Sequence, residues 1–306
     1  MKQLYYSLPQ YMKDKYGRKL YKVALETGMT CPNRDGKVGV GGCIFCGEGG
    51  SGDFAIRYEG KPFKRDDFIY NHKDVPVGDY IAYFQSFTNT YAPIDRLEKI
   101  FTSALQDELF TGISIATRPD CVGNDVISLL DHLKKTYPSK LIWVELGLQT
   151  IHEETAKWMN RGYPLSTFDH CVQQLKSIGV DVIVHVILGL PNESKEMLLQ
   201  TITHLNDVGI NGVKLQLLHY LKGTRLGMQY LQNQSLYHVL TMEEYVDLVT
   251  ECIAYLDSSI VIHRLTGDGN GEDLIAPLWS TDKRRVLNAI NHELKVKGYI
   301  QGCKLV

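Results

Sequence analysis

Three cysteines, Cys31, Cys43 and Cys46, stand within the stretch CPNRDGKVGVGGCIFC, directly after the first apolar run of the chain. Thiolates are the ligands that soft iron-sulfur and zinc centres require, and a Cys-x-x-Cys pair lets two sulfurs converge on one centre. Glycines at 36, 39, 41 and 42 give the intervening backbone the freedom to wrap a metal centre. The count of sulfurs carries most of the information. A cluster with three cysteine ligands keeps one iron open for a substrate or cofactor, whereas a structural zinc site takes a fourth protein ligand. His72 is the nearest histidine in sequence that could complete such a zinc site. A plain redox pair explains less, because Cys31 and the glycine loop would have no part in it.

Cys121, Cys171, Cys252 and Cys303 are scattered singly and read as small buried hydrophobes. An odd total of seven argues against a disulfide framework. The N-terminal stretch MKQLYYSLPQYMKDKYGRKLYK lacks the apolar core of a signal peptide. No apolar run approaches the roughly 20 residues of a membrane span, so a cytoplasmic chain with no membrane partner is expected. Hydrophobic residues at 44% and charged residues at 22% exclude disorder and fibrous repeats. A net charge of −2 excludes a wholly cationic nucleic-acid binder and leaves only local patches.

The elements that must position the cysteines follow a βα rhythm. Strands are predicted over 21–27, 80–87, 112–118, 141–149, 181–190 and 212–221, with a seventh over 259–265. Amphipathic helices are predicted near 94–107, 124–136, 166–178, 194–207 and 241–256. The near-continuous apolar run VIVHVILGL implies a strand covered on both faces. Six or seven such units without a dinucleotide fingerprint point to an α/β fold, a partial (β/α)6 barrel with its chemistry at the strand C-termini. Residues 28–79 break the rhythm, and a long loop of this kind is usually functional. The expected organisation is an N-terminal arm (1–20), a barrel (21–279) and a C-terminal helical extension (280–306).

Charges inside this frame are the next candidates. Glu145 and Arg118 lie on or at the end of interior strands, where an unpaired charge is costly; they are expected to face the lumen as an ion pair or as cofactor or substrate contacts. Lys222, His263 and Arg264 end late strands and are placed near substrate. Lys13, Lys15, Arg18, Lys19 and Lys22 alternate with Tyr11, Tyr16 and Tyr21, a mix able to neutralise phosphates and stack on bases. Lys283, Arg284, Arg285, Lys295 and Lys297 add a second basic run, although such runs are commonly solvated faces.

The stretch GMTCPNRDGKVGVGGCIFCGEGGSGDFA closely resembles the cluster loop of radical S-adenosylmethionine (SAM) proteins of the YhcC/YtqA type, relatives of the elongator catalytic subunit. FQSFTNTYAP, ATRPDC, VELGLQT, MNRGY, VHVILGLPNES, KLQLLHYLKGT and HRLTGDG extend the resemblance over nearly the whole chain, and GSGDF is similar to the Gram-positive YtqA branch. The resemblance implies an enzyme with a 4Fe-4S cluster on Cys31, Cys43 and Cys46, whose open iron chelates SAM. One electron then cleaves SAM to methionine and a 5′-deoxyadenosyl radical that takes hydrogen from the substrate. It further implies that Gln149 contacts the SAM ribose, that Arg161 holds the methionine carboxylate, and that adenine approaches the backbone at Gly189. The glycine-rich motif usual after the second strand is absent. Gln85, Ser86, Thr88, Asn89 and Thr90 stand there, and their oxygens are expected to accept from the SAM ammonium.

As partners the resemblance implies the anticodon loop of tRNA and a flavodoxin- or ferredoxin-type electron donor. The implied reaction converts 5-carboxymethylaminomethyl-(2-thio)uridine at the wobble position to the 5-aminomethyl form. A radical SAM enzyme for a small molecule or protein side chain, and a zinc-stabilised binding protein, are the alternatives.

Overall fold

Strands in this chain turn apolar residues outward to a helical layer, while their inward positions run from apolar near the strand starts, at Ile81, Trp143 and Ile183, to mainly polar or small further on. In Tyr21–Glu26 (β1), Val23 and Leu25 join the outer core while Lys22 and Ala24 face the other way. The computed structural model describes residues 3–47, 49–50, 55–62, 79–267 and 271–305. It contains Ile56–Arg57 (β2), Tyr80–Phe84 (β3), Phe110–Thr117 (β4), Leu141–Gln149 (β5), Asp181–Leu188 (β6), Gly212–Leu217 (β7), Tyr220–Leu221 (β8), Val261–Arg264 (β9) and Leu274–Ala276 (β10). Eight of these form one sheet in the order β2-β1-β3-β4-β5-β6-β7-β9, with parallel pairing throughout. β8 and β10 form a small antiparallel pair beside it. The fold is α/β with a curved parallel sheet, and the sheet does not close among the described residues.

The outer layer is made by Ile94–Gln106 (α2), Asn124–Thr136 (α3), Leu165–Ser177 (α5), Lys195–Val208 (α6) and Met242–Tyr255 (α8), each within a residue or two of its predicted span. Leu97, Phe101, Leu130, Phe168, Ile202 and Val249 from these helices are fully or almost fully buried against the sheet. Transfer of such side chains from water stabilises the packing by about 1.5–3 kcal/mol each. Three strands depart from their predicted ends by two residues or more: β3 gives way to a turn at 85–90, where Phe87 takes φ +58°, β6 stops at Leu188, and the run 212–221 divides into β7 and β8. Glu153–Trp158 (α4) and Arg225–Gln232 (α7) are additional helices in the connections.

The N-terminal segment is not a free arm. Leu8–Tyr16 (α1) starts at Ser7, whose hydroxyl accepts from the Gln10 amide, and stops at Gly17 in the left-handed region. Met12 packs with Leu20, Ile81, Leu141, Trp143 and Ile183, residues at the starts of strands, so α1 floors the N-terminal end of the barrel. Tyr11 meets Trp143 at 6.1 Å, and Tyr21 meets Tyr80 at 6.4 Å. Lys15 lies 3.6 Å from Asp181, and Arg18 lies 2.5 Å from Asp79. Lys13, Lys15 and Arg18, expected near substrate, therefore belong to the floor, at the end opposite the cysteines. Lys22 leaves this group altogether and points into the lumen. At the other terminus, Lys283–Lys297 (α9) packs on α8, with Lys297 2.5 Å from Asp247 and Lys304 2.6 Å from Glu251.

Candidate active site at the strand C-termini

The cysteine loop leaves β1 and crosses the C-terminal ends of the strands. Its turns are closed by Arg34 N–H donating to Cys31 O at 2.8 Å and Cys46 N–H donating to Cys43 O at 3.0 Å. The segment 159–162, read from sequence as a SAM-binding block, also anchors this loop. Ile44 N–H donates to Met159 O at 3.1 Å, Asn160 Nδ2 to Gly42 O at 2.8 Å, and Asn33 Nδ2 to Asn160 O at 2.5 Å. Leu226 N–H donates to Ile44 O at 2.9 Å, which ties α7 to the same loop. Arg34 donates to Cys46 O at 3.2 Å and lies 5.1 Å from the Phe87 ring. The backbone on both sides of the cysteine pair is thus fixed without using a sulfur.

No two of the seven cysteines, all of them among the described residues, form a disulfide. Cys171 and Cys252 are buried in the outer core, as expected for small hydrophobes, whereas Cys303 is exposed and Cys121 half-buried. Burial pushes the Cys43 thiol up to about 12, and the nearby Cys46 and Cys31 thiols act in the same direction. Such a sulfur ionises only against a positive centre, which iron supplies. Among the described residues no three His, Cys, Asp or Glu side chains meet around a point suited to one metal ion. A four-iron cluster takes thiolates on separate irons and can keep one iron open, so three cysteines suffice for it, whereas a structural zinc ion takes a fourth protein ligand. His72, the fourth ligand of the zinc reading, lies outside the described residues, as do 51–54 of the GSGDF ending.

Two unsatisfied buried atoms mark where a ligand fits beside the cysteines. Gln149 ends β5 at φ +70°, where a non-glycine residue is strained, and its buried Oε1 has no hydrogen-bond partner. An orphaned acceptor on a strained residue suits a ligand hydroxyl or ammonium. Arg161 is 2% exposed; its Nε donates to Tyr163 O at 3.1 Å and its Nη1 to Leu148 O at 3.1 Å and Thr150 O at 2.6 Å. Nη2 makes no hydrogen bond and lies 3.6 Å from a Glu153 oxygen. The two-pronged grip expected of Arg161 on a carboxylate is therefore reduced to one prong, because the rest of the fork holds the end of β5. Gln149→Gly is expected to stabilise the fold by up to about 1 kcal/mol through relief of strain and to weaken SAM binding about tenfold through loss of the acceptor. Equilibrium dialysis and urea unfolding check both halves, and unchanged SAM affinity would remove Gln149 from the site.

Other expected cofactor contacts are engaged elsewhere. Asn89 Nδ2 donates to Phe84 O at 3.1 Å and Ala116 O at 2.9 Å, and its Oδ1 accepts from Thr27 at 3.3 Å. Thr90 Oγ1 bonds Thr117 Oγ1 at 2.6 Å and Cys121 O at 2.7 Å. These two side chains clamp the ends of β3 and β4 together, which corrects their reading as ligand acceptors. Thr88 is buried with its amide on Thr30 O at 3.2 Å, Ser86 is buried, and Gln85 is half-buried at the end of β3. Arg118 pairs with Asp120 at 2.9 and 2.7 Å and stacks 4.9 Å from the Tyr163 ring, opposed to Arg161 at 4.8 Å. Gly189 has φ +82°, and a Cβ there would meet Leu240 at 2.8 Å, so the close approach that requires glycine is made by Leu240.

Below the rim the lumen holds a polar layer that sequence reading found only at Glu145. Its carboxylate accepts from Lys22 at 2.6 Å, Ser114 at 2.7 Å, His185 at 2.8 Å and Lys214. Lys214 Nζ also donates to Tyr83 Oη at 3.1 Å. Although burial alone would raise it, the two lysines and His185 hold the Glu145 carboxyl well below the usual range. Burial brings Lys214 down to about 7, with the charges of Lys22 and Arg264 adding to the effect. Burial brings His185 down to about 4. The hydrogen bonds make Glu145 the centre of a lumen ion network, not a rim ligand. His263 lies lower still, 5.0 Å from Trp143 and over Gly212, so it belongs to the floor and not to the substrate end. Lys222 is exposed near the rim, where Nζ donates to Glu272 O at 2.8 Å.

Between the polar layer and the rim, the inward positions mix small residues with larger ones, among them Ile187 on β6, which is 7% exposed. Ala24 and Gly147 are half-buried, Ala116 is 8% exposed, and half-buried Gln216 completes the level on β7. A Cβ at Gly147 would meet Gln149 Nε2 at 3.1 Å, so the Gln149 side chain lies over Gly147 at this level. Lys22 and His185 retain 20% and 18% of their side-chain surface. Lys22 and Lys214 were detectable in principle as charges at the inward positions of YKVALE and GVKLQL.

Comparison with known proteins places these features. Residues 26–205 match the Radical SAM superfamily, and residues 210–296 match the Radical_SAM C-terminal domain. Uncharacterized protein YtqA of Bacillus subtilis is 42% identical over 97% of this chain and 92% of its own length. Protein YhcC of Escherichia coli is 31% identical over 95% of this chain and 92% of its own length. Among solved structures, an archaeal Elp3 from Methanocaldococcus infernus superposes with a TM-score of 0.61 at 17% identity, over 74% of this chain and 56% of that one. Methylornithine synthase superposes with a TM-score of 0.51 at 12% identity, over 96% and 86% respectively. The superfamily match spans most of the barrel and the YtqA likeness nearly the whole length, so the chain belongs to the radical SAM superfamily and is an enzyme that uses a 4Fe-4S cluster and SAM.

Proposed function

We propose that the enzyme acts on the wobble uridine of tRNA, converting 5-carboxymethylaminomethyl-(2-thio)uridine to the 5-aminomethyl form. The observation that carries this reading is the cysteine loop lying across the strand C-termini with exposed Lys37, Lys222 and Arg225 around it, cations able to meet the phosphates on either side of one extruded base. The near-full-length likeness to YtqA supports the choice of an RNA substrate through the resemblance set out above. When bound, the cluster and SAM supply a strong hydrogen-atom abstractor. Cys31, Cys43 and Cys46 would hold the cluster, Gln149 and Arg161 Nη2 would orient SAM, and the cysteine loop would shield the strand C-termini from water.

The substrate's N–CH2–COO⁻ methylene is the reacting carbon. Loss of its hydrogen atom gives an α-amino radical, and loss of one electron to the oxidised form of the flavodoxin- or ferredoxin-type donor, with loss of the N–H proton to solvent, gives an imine. Water adds to that imine, the carbon–nitrogen bond breaks, and the two-carbon fragment leaves as glyoxylate with the 5-aminomethyl group retained. With substrate deuterated at this methylene, the recovered 5′-deoxyadenosine is expected to carry deuterium; protium alone would refute the reading.

RNA contact belongs to the rim, not the floor. Lys37, Lys222 and Arg225 are exposed around the cysteine loop, and a 490 Å3 cleft beside it is lined by Pro32, Lys37 and Tyr91. Lys13→Gln, Lys15→Gln and Arg18→Gln together are expected to leave tRNA affinity within about twofold, while Lys37→Glu with Lys222→Glu reduces it at least about tenfold and lowers the salt slope by about two. Fluorescence anisotropy across a salt series measures both, and the opposite ranking would return the RNA to the floor.

A further inference from the structure

Asn33 lies two residues beyond Cys31 and is completely buried within the cysteine loop. Its Nδ2 donates to Asn160 O at 2.5 Å and stands 3.6 Å from Cys43 Sγ, within hydrogen-bond reach of a sulfur. The carbonyl settles which way the amide faces, since Asn160 O accepts only from the nitrogen. One Nδ2 hydrogen therefore meets Asn160 and the other is turned to Cys43. The opposite end of the amide carries a cost: Oδ1 is buried with no hydrogen-bond partner. Glycines make room for it, because a Cβ at Gly39 would collide with Oδ1 and one at Gly162 would stand 3.3 Å from it. The backbone is fixed as well, with Gly42 N–H donating to Asn33 O at 2.7 Å directly before Cys43.

An amide that only anchored the loop would gain from pairing both of its ends. This one leaves its acceptor unpaired while a donor faces a cluster cysteine. A neutral thiol accepts weakly, whereas an iron-bound thiolate takes a charge-assisted bond. Reduction of a cluster places more negative charge on its sulfurs, so the same N–H···S bond stabilises the reduced state more than the oxidised one. We propose that Asn33 raises the reduction potential of the cluster by hydrogen bonding to Cys43, and so eases the electron transfer that precedes SAM cleavage. Asn33 acts through Cys43 and is a positioning residue, with no step of its own in the reaction. The inference holds for any molecule that meets the radical, and it stands apart from the wobble-uridine reading.

The test is the midpoint potential of the reconstituted enzyme without SAM or RNA, read from the EPR signal of the reduced cluster in a dye-mediated titration. Asn33→Leu keeps the approximate shape of the side chain and removes the donor. Its equilibrium constant for one-electron reduction is expected to fall about tenfold, a shift of about 59 mV to more negative potential. Asn160→Gly is the control for the loop itself. It removes the other amide anchor, Asn160 Nδ2 on Gly42 O at 2.8 Å, and glycine accepts the φ of +57° at that position. This variant is expected to keep the same constant within about twofold. Equal shifts in both variants would mean a general loosening of the loop and would overturn the proposal, as would an unchanged potential in Asn33→Leu. Should Asn33→Leu bind no iron, the contact is read in the native enzyme carrying 15N on its asparagine side chains. A 15N coupling to the reduced cluster in pulsed EPR then upholds the hydrogen bond, and its absence overturns it.

Discussion

Replacing Cys43 with serine is expected to yield a folded, colourless protein that produces no 5′-deoxyadenosine above background. The loop around Cys43 is held by Ile44 on Met159, Leu226 on Ile44 and Asn160 on Gly42, all through backbone groups or amides. The sulfur itself is approached by Asn33 Nδ2 at 3.6 Å, an interaction that an alcohol preserves in kind. What serine does not preserve is softness and acidity: its hydroxyl stays protonated and binds iron poorly, so one corner of the cluster loses its ligand. Unfolding of the iron-free variant is expected within about 0.5 kcal/mol of the iron-free native chain, as for a substitution that removes nothing from the packed core. Iron and sulfide content, colour and SAM cleavage fall together. Cys121→Ser, at a half-buried position beside the loop, is the control that retains all three. A brown, SAM-cleaving Cys43→Ser protein would refute the three-cysteine assignment.

The architecture was largely legible because strand and helix periods dominate this chain. LIWVELGLQ reads as a strand over 141–149 and folds as β5 with those bounds, and the helix predicted over 124–136 is α3. Side-chain direction was less legible. Lys22 sits in a Lys- and Tyr-rich run that resembles a nucleic-acid arm, and only the pairing of β1 with β3 sets it on the lumen side, where it reaches Glu145 of β5. α1 carried readable signals in Ser7 and Pro9, yet its tyrosines belong to the barrel floor through packing on Trp143 that no local pattern shows. Asn89 and Thr90 illustrate a chemical ambiguity, since a turn residue with spare oxygens serves a ligand or a neighbouring carbonyl equally well. His263 reads as a strand-end residue, but β9 begins only at Val261, so register puts the ring beside Trp143 near the strand's start. For Arg161 the motif located the residue but not how many of its N–H groups the backbone had already taken.

Glu145→Ala is expected to be the costliest single change in the lumen, destabilising the fold by about 3–5 kcal/mol, because it strands buried cations without their shared carboxylate. Lys214 is 4% exposed and would keep only Tyr83 as a hydrogen-bond partner; Lys22, at 20% side-chain exposure, has more access to water. Lys214 responds by releasing its proton. It already stands at about 7 with Glu145 present, and loss of that carboxylate lowers it further. Between the variant's folded value and about 7, the unfolded chain, whose lysine titrates near 10.4, holds a proton that the folded variant has lost. Stability of the variant therefore rises with pH across that window, while the native protein's Lys214 remains charged on both sides of the equilibrium. Urea unfolding at about pH 5.5 and about pH 7.5 is thus expected to show the larger deficit at the lower pH. Adding Lys214→Met to Glu145→Ala removes the buried cation and is expected to recover a large part of the loss, since an apolar replacement of both partners restores charge balance. A deficit below about 1 kcal/mol, or one indifferent to pH, would mean that water already solvates these lysines and that Glu145 is not the charge that holds them.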